Sequence, residues 1–188
     1  INPRFPRSLW DFSLCRDLAG SAFPFPPLSL ATLAGLTPGD HEIVICDENV
    51  RPVEMNRDAD LVGITGYHIQ KEQVFRLADA FRKRGVTVAI GGPLVQRQNL
   101  DECLLHGDAV FLGEAEYTWP VFIGELQEKR AQSVYHQEGF VALSDSPTPR
   151  FDLLDQEAYS SVIIETSRGC PHSCEFCEIP IRLGKGSR

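Results

Sequence analysis

The 188 residues carry 18 basic and 26 acidic side chains, a net charge of −8, and 43% hydrophobic residues. That is the balance of an ordinary globular fold, long enough for one full domain and part of another. An acidic surface opposes phosphate backbones, so nucleic acid is not an expected partner, and no apolar run approaches the ~20 residues needed to span a bilayer.

The chain opens on Ile1-Asn2, which reads as the tail of a strand, followed by the proline-rich loop Pro3-Arg4-Phe5-Pro6. Aromatics and prolines continue through Phe23-Pro24-Phe25-Pro26-Pro27, read either as an irregular packed loop or as a loop covering a large flat ligand. A short helix is expected across Leu28 to Leu36, ended by the turn signal Thr37-Pro38-Gly39-Asp40. The periods then alternate as in a doubly wound α/β fold. Glu42 to Asp47 reads as a buried strand, Leu61 to Gly66 as the next, Val86 to Ile90 as a third and Ala109 to Leu112 as a fourth. Between them, Val74, Leu77, Ala78 and Phe81 form an i, i+3, i+4, i+7 stripe, closed by Lys83-Arg84-Gly85. Trp119, Phe122, Ile123 and Leu126 repeat that stripe. The expected architecture is a parallel, Rossmann- or flavodoxin-like sheet flanked by helices. Residues 133–136 and 140–143 are expected to pair as a hairpin, and the domain boundary is placed near Asp145, with 146–188 as linker and the first strand and following loop of a second, truncated unit.

Parallel sheets of this kind bind ligands beyond the carboxyl ends of their strands. Those ends here read Thr65-Gly66-Tyr67-His68, Gly91-Gly92-Pro93 and Gly113-Glu114-Ala115-Glu116. Glycine lets a ligand approach the backbone, although a strand-to-helix turn often needs glycine for itself. His41, His106 and His136 stand alone beside turns and are read as non-ligands. Glu114 and Glu116 read either as an acid pair or as carboxylates favoured at a helix N-terminus, and the second is preferred.

The densest chemistry is Thr166-Ser167-Arg168-Gly169-Cys170-Pro171-His172-Ser173-Cys174-Glu175-Phe176-Cys177, after the apolar run Val162-Ile163-Ile164. Its C-x3-C-x2-C spacing places three thiolates on one loop, suited to a single soft-metal site. A structural zinc site closes with four ligands, so three point to a site with one position open. The competing readings are a zinc knuckle completed by His172, or a disulfide with a spare thiol. The other cysteines, Cys15, Cys46 and Cys103, follow no pairing pattern and read as reduced small hydrophobes in a cytoplasmic protein.

This segment, with Phe176 immediately before the last cysteine, resembles the cluster motif of radical S-adenosylmethionine enzymes. The order of Asn2 to Pro6, Asp60 to Gly66, Ile90 to Pro93 and Gly113 to Glu116 ahead of it resembles the cobalamin-dependent members. The likeness is greatest to the branch of hopanoid methylases and proteins like the anaerobic magnesium-protoporphyrin ester cyclase. The resemblance implies a 4Fe–4S cluster on Cys170, Cys174 and Cys177, with S-adenosylmethionine on the open iron. It also implies cobalamin against Pro3, Arg4, Thr65, Gly66, Tyr67, His68, Gly91, Gly92, Pro93, Gly113 and Glu114. The expected activity is methyl transfer through methylcobalamin and a 5′-deoxyadenosyl radical. A small-molecule or lipid-like substrate and an electron donor such as flavodoxin or ferredoxin are implied with it. Cyclisation or another radical reaction is an alternative, as is a cobalamin-carrying or sensing module with a structural metal loop.

Only eleven residues follow Cys177, whereas the family's partial α/β barrel needs on the order of 200, like a full barrel domain. The chain is therefore expected to be a fragment, inactive alone, with its cysteine loop loosely held. The Asn2 to Ser8 loop lacks the histidine of a D-x-H-x-x-G cobalamin motif, so cobalt is expected to carry no protein histidine, with His68 the one rival.

Overall fold

The computed structural model describes residues 1–12 and 20–188; Cys15, expected to be a reduced thiol, lies outside them. Four parallel strands form the central sheet: β1 (Leu61–Thr65), β2 (Thr87–Gly91), β3 (Ala109–Leu112) and β4 (Val134–His136), in that spatial order. Register pairs Gly63 with Ala89 and Thr65 with Gly91, then Ala89 with Ala109 and Val110 with Val134. Helices α1 (Leu28–Leu36), α2 (Lys71–Arg82), α3 (Leu100–His106), α4 (Thr118–Gln127) and the short α5 (Ile179–Arg182) complete the described architecture. None of the described helices is long and apolar enough to cross a membrane.

Strand alternation divides the core in two. Val62, Ile64, Val88, Ile90 and Val110 point to one face and meet Val74, Leu77, Ala78 and Phe81 of α2 with Cys103 of α3. The opposite face presents Ala89, Ala109 and Phe111 to Trp119, Phe122 and Ile123 of α4. Both amphipathic stripes read from the sequence thus bury against the sheet, which is where a 3.6-residue period must put them. The α1 bounds also match the expected Leu28 to Leu36.

Beyond β1 the sheet is extended by single contacts. Thr65 N–H donates to the Ile1 carbonyl at 3.0 Å, Asn2 N–H to Cys46 at 2.9 Å and Glu48 N–H to Asn2 at 2.9 Å. The backbone order is therefore 46–48, then 1–2, then β1, which reverses direction across the sheet at Ile1-Asn2. The predicted strand Glu42 to Asp47 is corrected accordingly: it runs extended but joins through one bridge, Asn2 to Asp47. Past that bridge the next donor on this side, Arg4 N–H, bonds the Glu48 side chain at 3.1 Å rather than a backbone carbonyl, and the ladder stops.

Two other expectations are corrected. Residues 133–136 and 140–143 do not form a hairpin. Val134–His136 instead joins β3 in parallel as β4, and Val141, fully buried, gives its N–H to Glu114 Oε2 at 2.9 Å. Glu138-Gly139 therefore turns the chain back over the strand ends rather than antiparallel to β4. The apolar run Val162-Ile163-Ile164, expected as the first strand of the second unit, is not a strand either. It is extended with no strand neighbour among the described residues, and Val162 and Ile164 are each 73% exposed.

The segment after Asp145 lies on the sheet domain. Arg150 N–H donates to Ala31 at 2.9 Å, and the 22–23 backbone bonds to the Ala158 carbonyl at 3.0 and 3.1 Å. Tyr159 Oη donates to Asp47 at 3.1 Å. The buried Asp47 carboxyl also accepts from Asn2 Nδ2 at 3.0 Å and from Asn49 through N–H at 3.0 Å and Nδ2 at 2.7 Å. Burial raises its pKa above 3.8 although these hydrogen bonds work the other way. The folded carboxyl thus holds its proton more tightly than the unfolded one. Its contribution favours the fold at low pH and declines as pH rises from 3.8 through the raised folded value. Asp47→Ala is expected to cost about 3 kcal/mol, since it orphans donors from three residues. Asp47→Asn keeps an acceptor and lets Tyr159 accept, so it should cost under about 1 kcal/mol and flatten the pH dependence. Urea unfolding at about pH 4 and about pH 7 measures both effects.

Candidate functional site

The strand ends open into a cleft of about 520 Å³. Its floor is the sheet face carrying Gly63, Ala89, Gly91 and Phe111, and its sides are Leu28, Thr32, Leu33 and Leu36 of α1 with Trp119 of α4. Small residues in register across β1 and β2 leave a slot between sheet and helix that a larger side chain at Gly63 or Gly91 would occupy. Ligand pockets at the carboxyl ends of parallel sheets have this construction, an apolar body with a few polar groups at the rim.

Of the residues expected to hold a cofactor, Thr65, Tyr67, Gly91, Gly92, Pro93, Gly113 and Glu114 line the cleft. The other four lie elsewhere. Gly66 packs behind it, where an added Cβ would sit 2.6 Å from Val74 Cγ2. Pro3 is fully buried, and its carbonyl accepts from Gln70 Nε2 and, at 3.3 Å, from Asn49 Nδ2. The Arg4 side chain is 64% exposed, 4.0 Å from Glu48. His68 is exposed at the start of a one-turn 3-10 helix, His68–Gln70. Tyr67 also meets an aromatic group: Phe5 lies 6.1 Å from its ring and stacks on Phe23 at 6.0 Å.

The far wall of the cleft comes from the cysteine segment, through Glu165, Arg168, Glu178, Ile179, Arg182 and Leu183. A buried ion cluster fixes it there. Arg168 Nη1 lies 2.7 Å from Glu114 Oε1 and 2.6 Å from Glu116 Oε1, and its Nη2 lies 2.9 Å from Glu165 Oε2. Arg188 Nη2 reaches Glu114 at 2.6 Å. Burial works against the charge on Arg168, but the Glu114 and Glu116 hydrogen bonds outweigh it and leave its pKa raised. Ser146 Oγ donates to Glu116 at 3.1 Å. Glu114 and Glu116 are thus ion-pair partners of two arginines, which corrects the helix N-terminus explanation. The α4 helix begins only at Thr118.

Sequence reading missed both arginines. The available signal was two carboxylates at a strand end, which need counter-charges when buried. Arg182 was missed as well. Burial lowers its pKa, with the Glu178 charge working the other way, and its guanidinium makes no hydrogen bond or ion pair among the described residues. Glu178 itself accepts from Gln96 Nε2 at 3.0 Å.

The cysteine loop is pinned at its ends. Arg168 and Arg188 exchange two backbone hydrogen bonds of 3.0 Å, and Cys170 N–H donates to Gly184 at 3.1 Å. Gly169 makes this possible: at φ +93° its missing Cβ would fall 2.0 Å from the Gly186 carbonyl. Between the pins, residues 171–176 are exposed, with one turn bond from Cys177 N–H to Cys174 at 3.1 Å. Cys170, Cys174 and Cys177 are free thiols, and Cys170 and Cys177 are half-buried. In kind, number and spacing they fit a soft-metal cluster, although no three ligating side chains among the described residues are yet drawn together.

Comparison with known proteins supplies the relatives. Over 190 residues, all of this chain and 35% of the other, it is 33% identical to an uncharacterized methyltransferase of Synechocystis sp.. It is 31% identical over 173 residues to the bacteriochlorophyllide d C-8(2)-methyltransferase of Chlorobaculum tepidum, covering 88% of this chain and 38% of that one. Over 195 residues it is 28% identical to the hopanoid C-2 methylase of Rhodopseudomonas palustris, covering all of this chain and 37% of that one. The chain thus spans little more than a third of the length of these relatives. No family model and no solved structure matches it. Along 88% or more of its length the chain is thus similar to proteins named as methyltransferases, a hopanoid C-2 methylase and a bacteriochlorophyllide d methyltransferase among them.

Proposed function

We propose that residues 1–145 hold cobalamin and that residues 146–188 carry a 4Fe–4S cluster, together forming part of a radical S-adenosylmethionine methyltransferase. The observation that carries this reading is the slotted cleft at the strand ends, walled on one side by the segment bearing the three cysteines. The named relatives act on hopanoid and bacteriochlorophyllide, both large apolar ring systems, and a substrate of that class is proposed for the whole protein. Bound together, the cofactors would supply a substrate-activating radical and a methyl donor.

The chain's own residues have definable parts in this. The slot over Gly63, Ala89 and Gly91 suits a slender, extended group such as the nucleotide tail of cobalamin with its base displaced from the metal. Tyr67, backed by Phe5 and Phe23, offers a flat apolar surface at the mouth. Arg182, a cation on the cleft wall, suits the tail's phosphodiester. Cys170, Cys174 and Cys177 hold the cluster and Arg168 keeps their loop on the cleft.

Neither Arg4 nor exposed His68 is placed to ligate a metal from inside the cleft, and a guanidinium has no lone pair to offer. The test is electron paramagnetic resonance of cob(II)alamin bound to the chain. A base-off signal without nitrogen superhyperfine splitting is expected, identical in His68→Ala. Failure to bind cobalamin at all would overturn the cofactor assignment. Splitting that vanishes in His68→Ala would overturn the absence of a histidine ligand.

A further inference from the structure

The cleft and the cysteine loop share one wall. Glu165 and Arg168 precede the cysteines, Glu178, Ile179, Arg182 and Leu183 follow them, and all six line the cleft. An occupant of the cleft therefore touches both flanks of the loop at once. What fastens those flanks to the sheet domain is charge rather than apolar packing. The Arg168 side chain is 10% exposed and meets carboxylates that are 8% and 5% exposed on the turn after β3. Arg188, bonded through its backbone to Arg168, adds a second hold on Glu114, and its guanidinium lies 4.7 Å over the Phe140 ring.

We propose that Arg168 is a positioning residue: it locks the entry of the cysteine loop onto the Gly113–Glu116 turn, so that a ligand in the cleft also orders Cys170, Cys174 and Cys177. The physical argument is linkage. The exposed loop tip carries one internal hydrogen bond, so its excursions are governed by its flanks. A ligand that binds best when those flanks are seated must hold them seated, and a seated loop must in turn favour the ligand. Without the arginine, Glu114 and Glu116 lose the charge joining them to the loop's entry. The flanks can then move while the cleft floor, built on the sheet, keeps its shape. The identity of the ligand rests on the cobalamin reading; the latch itself rests on the ion cluster.

The experiment measures iodoacetamide alkylation of each of the three cysteines by peptide mass spectrometry, with and without saturating cyanocobalamin. In the unaltered chain the ligand is expected to slow alkylation about tenfold, within the usual range for coupled sites. In Arg168→Gln, cyanocobalamin should still bind, several-fold more weakly, while protection at saturation falls below about twofold. Arg168→Lys, which keeps the charge but not the fork, should lie between. Should Arg168→Gln lose its far-UV circular dichroism, Arg188→Gln takes its place, since Arg188 lies outside the cleft lining and holds the same turn. Protection retained at full strength in the folded variant would overturn the proposal, as would a ligand that binds the unaltered chain without protecting it. A folded Arg168→Gln that no longer binds at any concentration would make Arg168 a ligand contact instead. If the unaltered chain binds no cyanocobalamin, the cofactor reading fails, and this coupling with it.

Discussion

Gly92→Ala is expected to lower the melting temperature by about 10 °C and to weaken cyanocobalamin binding at least about tenfold. Gly92 follows β2 at φ +83°, in the left-handed region. An alanine there costs about 1 kcal/mol in backbone strain alone. Its Cβ would also fall 2.3 Å from Thr65 Oγ1 and 3.1 and 3.3 Å from the N and O of Gly66. The hydroxyl can rotate away, but the Gly66 backbone cannot, because its carbonyl accepts from Leu94 at 2.7 Å and its Cα faces Val74. Overpacking of that kind costs typically 1–3 kcal/mol, so the sum is about 3 kcal/mol. The binding loss has a separate cause, since Thr65 and Gly92 both line the cleft and any relief of the clash moves one of them. Gly124→Ala is the control. Gly124 lies in α4 with nothing within 4 Å of its added Cβ. That change should stabilise by about 0.5–1 kcal/mol through helix propensity. Thermal melts and a cyanocobalamin titration on the three proteins measure these effects. A Gly92→Ala protein as stable as the parent would show that the turn has more freedom than its geometry allows.

Local pattern made much of the fold legible. The α2 stripe of Val74, Leu77, Ala78 and Phe81 and the α4 stripe of Trp119, Phe122, Ile123 and Leu126 state their inward faces directly. The continuous apolar runs at Val62, Val88 and Val110 state a sheet covered on both sides. What the sequence could not state is pairing. Residues 133–136 are β-like in any sheet, and whether they pair with β3 or with 140–143 depends on a contact more than twenty residues away. Glu42 to Asp47 has the continuous apolar run of a buried strand, but its ladder depends on what lies beside it, and it ends after one bridge where Arg4 N–H turns to the Glu48 side chain. Val162-Ile163-Ile164 shows the same limit from the other side: it has strand propensity and no partner among the described residues. The candidate site divides likewise. Glycines at strand ends and closely spaced cysteines are local signals and were readable. The Arg168–Glu114–Arg188 cluster joins positions 54 and 74 residues apart, and no period or spacing announces such a contact.

Replacing any one of Cys170, Cys174 or Cys177 with serine is expected to take reconstituted iron from about four atoms per chain to below about one. The three thiols share one loop whose ends are pinned by Arg168–Arg188 and Cys170–Gly184 backbone bonds. Closing that loop around a cluster orders only the exposed stretch from 171 to 176, so all three sulfurs can converge without disturbing the sheet. Losing one leaves two soft ligands, and a serine hydroxyl, hard and protonated at neutral pH, does not replace the third. Cys103→Ser is the matched control. Cys103 is fully buried against α2 and the sheet, and burial pushes its thiol up to about 11. A thiol held protonated in a core is no metal ligand, so iron should be unchanged while stability falls by about 1–2 kcal/mol for the buried hydroxyl. Anaerobic reconstitution followed by iron, sulfide and zinc analysis distinguishes the possibilities for the loop. Iron and sulfide in equal amounts, lost in each of the three variants and kept in His172→Ala and Cys103→Ser, is the expected pattern. One zinc per chain, lost in His172→Ala as well as in the cysteine variants, would replace the cluster with a closed four-ligand zinc knuckle.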